Sequence, residues 1–95
     1  MQPAIYILSN KKYGVLYIGV TSNLIQRIWQ HKQGLVDGFS KKYSTHSLVY
    51  YELHQTMLDA ISREKQLKNW KRRWKLDLIE SMNPRWEDHW NNINA

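Results

Sequence analysis

The sequence has no cysteine, two prolines, four glycines, one phenylalanine and no long apolar run. Without cysteine there is no disulfide framework, no thiolate metal site and no cysteine nucleophile, so zinc-finger readings are excluded. Scarce proline and glycine leave little material for long loops, and five tryptophans with six tyrosines give a composition opposite to that of a disordered chain. The longest apolar stretch near the start, residues 4–8, is far short of the roughly 20 residues of a membrane span or the ~7–15 of a signal peptide. No membrane association or secretion is expected, and the cytoplasm is the expected location. Ninety-five residues with 42% hydrophobic side chains suit one compact domain, not a catalytic domain plus a separate recognition domain. That domain is expected over residues 1–88, with a polar tail over 89–95.

What the chain does have is a concentrated positive charge. Residues 63–75 hold Arg63, Lys65, Lys68, Lys71, Arg72, Arg73 and Lys75 against one acid, Glu64, a local net of +6 that equals the net charge of the whole chain. The excess charge is therefore a patch. Focused positive charge concentrates polyanions and releases counterions from a phosphate backbone, which makes nucleic acid the leading partner class. A solvated basic helix is the alternative.

Residues 3–9 and 15–21 are short, apolar and rich in β-formers, and Asn10-Lys-Lys-Tyr-Gly14 between them has turn chemistry. They read as an antiparallel hairpin. Thr21 or Ser22 then caps a helix in which Leu24, Ile25, Ile28 and Trp29 repeat at helical spacing and which Gly34 ends. Residues 38–47 show no periodicity, and residues 48–53 read as a third strand. Thr56 caps a helix carrying Met57, Leu58, Ala60, Ile61 and Leu67 to about residue 70, and a further helix with Trp74, Leu76, Leu78 and Ile79 stops at Asn83-Pro84. The order β-β-α-β-α-α is α+β: a three-stranded sheet flanked by about three helices.

Four features admit more than a purely structural account. Glu64 falls in the apolar arc of its helix, so it needs a cation, a proton or a solvent-filled cleft. Lys68, four residues on, offers an ordinary ion pair; a Mg²⁺ ion completed by water and phosphate oxygens is the other reading. Arg27 and His31 project from one side of the first helix, either as surface residues or as a phosphate clamp beside a group that titrates near neutrality. Tyr6 and Tyr17 on neighbouring strands are core residues unless cations lower the phenol pKa of ~10 far enough to make a general base. Trp70 and Trp74 either stack on bases or pack between two helices.

Taken in order, these residues resemble the small standalone proteins of the GIY-YIG nuclease superfamily, whose fold also occurs in the N-terminal nuclease domain of the excinuclease and in some homing endonucleases. The resemblance runs through Ala4-Ile5-Tyr6, Tyr17-Ile18-Gly19, Thr21-Ser22-Asn23-Leu24, Arg27, His31, Leu48-Val-Tyr-Tyr-Glu52, Ala60-Ile-Ser-Arg-Glu-Lys-Gln-Leu-Lys68, Leu78-Ile-Glu80 and Asn83-Pro84, roughly residues 3–88. It implies a three-stranded antiparallel sheet flanked by helices and a Mg²⁺- or Mn²⁺-dependent endonuclease that hydrolyses phosphodiester bonds in DNA, with DNA repair as its setting. By position, Tyr6 would be the general base, Tyr17 would orient water or phosphate, Arg27 would stabilise the transition state, His31 would assist proton transfer and Glu64 would hold the metal. Asn83 matches either a late asparagine near the site or a helix end. Two departures stand out: Ala4 replaces a glycine, and Val20, Thr21 and Ser22 occupy a stretch where several members carry a lysine. The competing functions are a non-catalytic DNA- or RNA-binding module, and a protein that relies on a protein partner for activity or specificity.

Overall fold

A computed structural model describes residues 2–36 and 38–94; the ends of the expected ranges, residues 1 and 95, lie outside the described residues. Three strands, β1 (Ala4–Ser9), β2 (Leu16–Thr21) and β3 (Ser47–Leu53), form an antiparallel sheet in the order β2-β1-β3. Around it lie α1 (Leu24–Lys32), α2 (Phe39–Tyr43), α3 (Met57–Asn69), α4 (Arg72–Met82) and α5 (Trp90–Ile93). The α+β architecture with a three-stranded antiparallel sheet is the expected one.

β1 is central, and all six of its residues are buried. Its unbroken apolar character follows from burial on both faces, since strand side chains alternate between them. Ala4, Tyr6 and Leu8 point to one side and pack with Leu24 and Ile28 of α1, Leu48 of β3, and Trp90 and Ile93 of α5. Ile5 and Ile7 point to the other, where Ile18, Val49, Tyr50, Ala60, Leu67, Ile79 and Trp86 complete a second cluster. Each fully buried Leu or Ile contributes about 1.5–3 kcal/mol. The β1–β3 register slips between Ile7, opposite Tyr50, and Leu8, opposite Leu48. The extra residue, Val49, turns into the second cluster while Leu48 stays in the first.

The β1–β2 turn closes through Asn10, whose Oδ1 accepts the Val15 amide at 2.9 Å. α1 begins one residue later than expected: Asn23, not Thr21 or Ser22, is its N-cap, accepting the Gln26 amide at 3.1 Å. Thr21 still belongs to β2 and its hydroxyl accepts the Asn23 amide. The buried stripe of α1 is Leu24, Ile28 and His31, so Ile25 and Trp29, expected in the core, are 46% and 47% exposed. The histidine takes the i+7 position of the stripe. Leu58, also expected to face the core, stands exposed in the first turn of α3, which Thr56 caps as expected. α2 is an addition to the expected order, a single turn too short to show a period.

Asn83 ends α4 and clamps the chain. Its Nδ2 donates to the carbonyls of Val49 and Glu87, both at 2.9 Å, and its Oδ1 accepts the Glu87 amide at 3.0 Å. Beyond it, the His89 amide donates to the Leu48 carbonyl and Asp88 accepts the Leu48 amide, docking the segment before α5 against the start of β3. No helix among the described residues is long and apolar enough to cross a membrane.

Replacing Asn83 with alanine strands buried backbone groups on β3 and at Glu87. Asn83→Ala is expected to cost about 2 kcal/mol or more, read as a lower urea midpoint at unchanged slope. A loss below about 0.5 kcal/mol would contradict the clamp.

Candidate active site

The site is built on the cross-strand pair Tyr6 and Gly19. A Cβ at position 19 would lie 2.3 Å from both Cζ and Oη of Tyr6. The tyrosine ring therefore crosses the neighbouring strand where that strand has no side chain, the close approach that a glycine inside a strand marks. An alanine there would force the buried ring out of place.

This leaves the Tyr6 hydroxyl 3.0 Å from Nε2 of His31. The other ring nitrogen of His31 lies 2.9 Å from Ser40 Oγ. Tyr17 is the third ring: its centroid is 6.3 Å from that of Tyr6 and 5.2 Å, edge-on, from His31, and it stacks on Phe39 at 6.3 Å. Tyr6 is wholly buried and His31 nearly so, whereas Tyr17 is half-buried at the rim.

Burial pushes the Tyr6 phenol well above its usual value; Tyr17 adds to this and the Arg27 charge opposes it. Burial, then the charge of Arg27 and the neighbourhood of His46, pulls His31 down to about 4. Near neutral pH the couple is therefore a protonated phenol against a neutral imidazole, with the half-buried Arg27 acting on both.

Glu64 lies on α3, the helix that packs against β2. Its carboxylate is 15% exposed and takes an ion pair from Lys68 at 3.2 Å. Lys68, Lys75, Tyr17, Phe39, Leu16 and Ile18 line a concavity of about 240 Å³ along the free edge of β2. Among the described residues no three His, Asp or Glu side chains gather as a metal cage. The donor set fits a hard cation held by one carboxylate: Glu64 is largely shielded, and its partner Lys68 is exposed enough to swing away.

The basic segment divides. Lys68 and Lys75 line the groove, and Lys65, Lys71 and Arg73 are exposed, with Lys71 over the ring of Trp74 and Arg73 paired to Asp77. Arg63 instead forks onto Glu52 of β3 at 2.9–3.2 Å and lies over Trp70, and Arg72 donates to the Tyr13 and Gly14 carbonyls at 2.8 and 2.7 Å. Both are engaged within the fold. Trp70 packs on the second cluster, while Trp74 is 51% exposed. Asn83 bonds to Val49 and Glu87, apart from the tyrosine cluster, so its observed work is to end α4. Sequence reasoning missed Ser40, Phe39 and the steric role of Gly19. Only the glycine had a signal, its place inside a strand.

A family model described as the GIY-YIG catalytic domain matches residues 2–77. A UPF0213 protein of Clostridium perfringens is 36% identical over 90 residues, covering 95% of this chain and 96% of its own length. A second, from Staphylococcus saprophyticus, is 36% identical over 75 residues, covering 79% and 90%. The solution NMR structure of a UPF0213 protein from Bacillus halodurans superposes with a TM-score of 0.59 at 26% identity, covering 93% of each chain.

His31 sets a pH dependence. As pH falls from the ordinary histidine value of 6.5 toward about 4, the unfolded chain takes up a proton here that the native protein refuses. Stability from this residue is whole above that window and declines through it. Urea midpoints are expected to fall more steeply across it for the wild type than for His31→Gln; parallel slopes would contradict the assignment.

Proposed function

The chain belongs to the GIY-YIG catalytic-domain family, and on that premise we propose that it is an endonuclease that hydrolyses phosphodiester bonds in DNA with a divalent cation at Glu64. The observation that carries this reading is the buried, uncharged Tyr6–His31 couple at 3.0 Å, with Arg27 beside it. A core tyrosine needs only an acceptor for its hydroxyl; an acceptor that is itself a titratable base, next to a permanent cation, supports proton transfer.

Tyr6 Oη takes a proton from the attacking water as its own proton passes to His31 Nε2. The water oxygen forms the new bond to phosphorus, and the bridging oxygen opposite leaves. Arg27 stabilises the charge that builds on the phosphate, and its own charge favours the phenolate. Tyr17, at the rim, orients the water or the phosphate. Glu64 would hold Mg²⁺ or Mn²⁺, which when bound would supply positive charge to the phosphate. Lys68 and Lys75 in the groove, with Lys65, Lys71 and Arg73 beyond it, hold the DNA backbone.

A second reading, a binding module without chemistry, is favoured by exposed Trp74 among the lysines. Glu64 weighs against it, because its carboxylate occupies Lys68, a groove cation that a pure phosphate binder would leave free.

The test is cleavage of supercoiled and branched DNA, with metal binding measured alongside. The wild type is expected to cleave only with Mg²⁺ or Mn²⁺. Glu64→Gln is expected to lose cleavage and metal binding and to bind DNA more tightly without metal. Salt-dependent DNA binding with no cleavage and no metal uptake in the wild type would favour the binding module.

A further inference from the structure

The ring of His31 is gripped at both nitrogens. Nε2 faces the Tyr6 hydroxyl at 3.0 Å, and Nδ1 faces Ser40 Oγ at 2.9 Å. Ser40 Oγ is in turn 2.6 Å from Thr45 Oγ1, and the Thr45 hydroxyl has the Ser40 carbonyl at 3.4 Å. His31, Ser40 and Thr45 are each 2% exposed or less, so none trades these partners for bulk water.

A neutral imidazole donates from one nitrogen and accepts at the other. Two proton arrangements suit this chain. In the first, Tyr6 donates to Nε2, Nδ1–H donates to Ser40, Ser40 donates to Thr45, and Thr45 donates to the Ser40 carbonyl. In the second the direction reverses, Nε2 carries the proton, and the Tyr6 hydroxyl must find an acceptor elsewhere. The first keeps the Tyr6 hydroxyl on the acceptor 3.0 Å away; the second gives that contact up and leaves the hydroxyl to Tyr17, another side-chain neighbour.

The segment carrying Ser40 is shaped and stapled to deliver it. Gly38 (φ +93°) and Ser44 (φ +55°) bound α2 in the left-handed half of conformational space. Among the described residues other than its chain neighbours, no atom lies within 4 Å of a Cβ built at Gly38, so backbone conformation and not space calls for the glycine. His46 Nδ1 donates to the His31 carbonyl at 2.9 Å, and Lys32 returns a bond to the His46 carbonyl at 2.9 Å.

We propose that Ser40, backed by Thr45, is a positioning residue that holds His31 as the Nδ1–H tautomer and so aims the Nε2 lone pair at the Tyr6 hydroxyl. It works through the far nitrogen of the ring, as partners of functional histidines do. The proposal rests on the reading of Tyr6 and His31 as the couple that moves the proton.

Long-range ¹H–¹⁵N spectra of the full chain near neutral pH read the tautomer without any assay of activity. The wild type is expected to show Nδ1–H, Ser40→Ala a mixture, and Ser40→Thr, which keeps the hydroxyl, the wild-type form. Should Ser40→Ala not fold, Ser40→Cys, whose thiol is a weak acceptor, is expected to show the mixture. With DNA and Mg²⁺, Ser40→Ala is expected to lower kcat about tenfold at unchanged KM, less than the ~10²–10⁴-fold of an acid–base group itself. An Nε2–H ring in the wild type, or a tautomer that Ser40→Ala does not move, overturns the proposal. A tautomer lost without loss of kcat overturns the proton-carrying role of His31 and leaves the hold of Ser40 on the ring standing.

Discussion

The passage of the Tyr6 ring over Gly19 is the contact on which the rest of the molecule depends. The ring occupies the volume a side chain at position 19 would fill, 2.3 Å from where its first carbon would be. That constraint ties the β1–β2 register to the site, because a one-residue slip would set Val20 or Ile18 under the ring and turn every β1–β2 neighbour to the wrong face. It also aims the hydroxyl at α1, where the i+7 place of the buried stripe holds a histidine instead of an aliphatic residue. A core position here carries a titratable side chain. The hydrophobic cluster around Ala4, Leu8, Leu24, Ile28 and Leu48 helps to desolvate Tyr6 and His31 together, and burial keeps both uncharged near neutral pH.

Much of this fold is legible in the sequence because its elements announce themselves by period and punctuation. β1 reads as a short apolar run, α3 carries its cap at Thr56, and Pro84 marks the end of α4. What escapes is what a linear pattern does not encode. α2 is one turn long, and its boundaries depend on backbone conformation at Gly38 and Ser44. Ile25 and Trp29 share the helical spacing of Leu24 and Ile28 but sit one step around the helix, and only the position of the sheet decides which line is buried. The cap of α1 depends on where β2 stops, which the run Thr21-Ser22-Asn23 leaves open.

The charge pattern shows the same division. Counted along the chain, residues 63–75 form one basic patch, but Glu52, 11 residues before Arg63 and on a different element, reaches that arginine in space and neutralises it. Arg72 is spent on two carbonyls of the β1–β2 turn. Lys68 and Lys75 line the groove with Tyr17, Lys68 through its ion pair with Glu64, and Lys65, Lys71 and Arg73 stand exposed beyond it, so the basic segment is less uniform in space than along the chain. Glu64 is largely shielded and paired with an exposed lysine one helical turn on.

The central claim is that one oxygen atom, Tyr6 Oη, does the chemistry while the ring that carries it serves the packing. Tyr6→Phe separates the two, since the ring stays over Gly19 and the lost hydroxyl costs at most about 1–3 kcal/mol of stability. Single-turnover cleavage of DNA by Tyr6→Phe with Mg²⁺ is predicted to fall by at least about 10²-fold, with DNA binding unchanged. Cleavage at the wild-type rate by a folded Tyr6→Phe protein would contradict it.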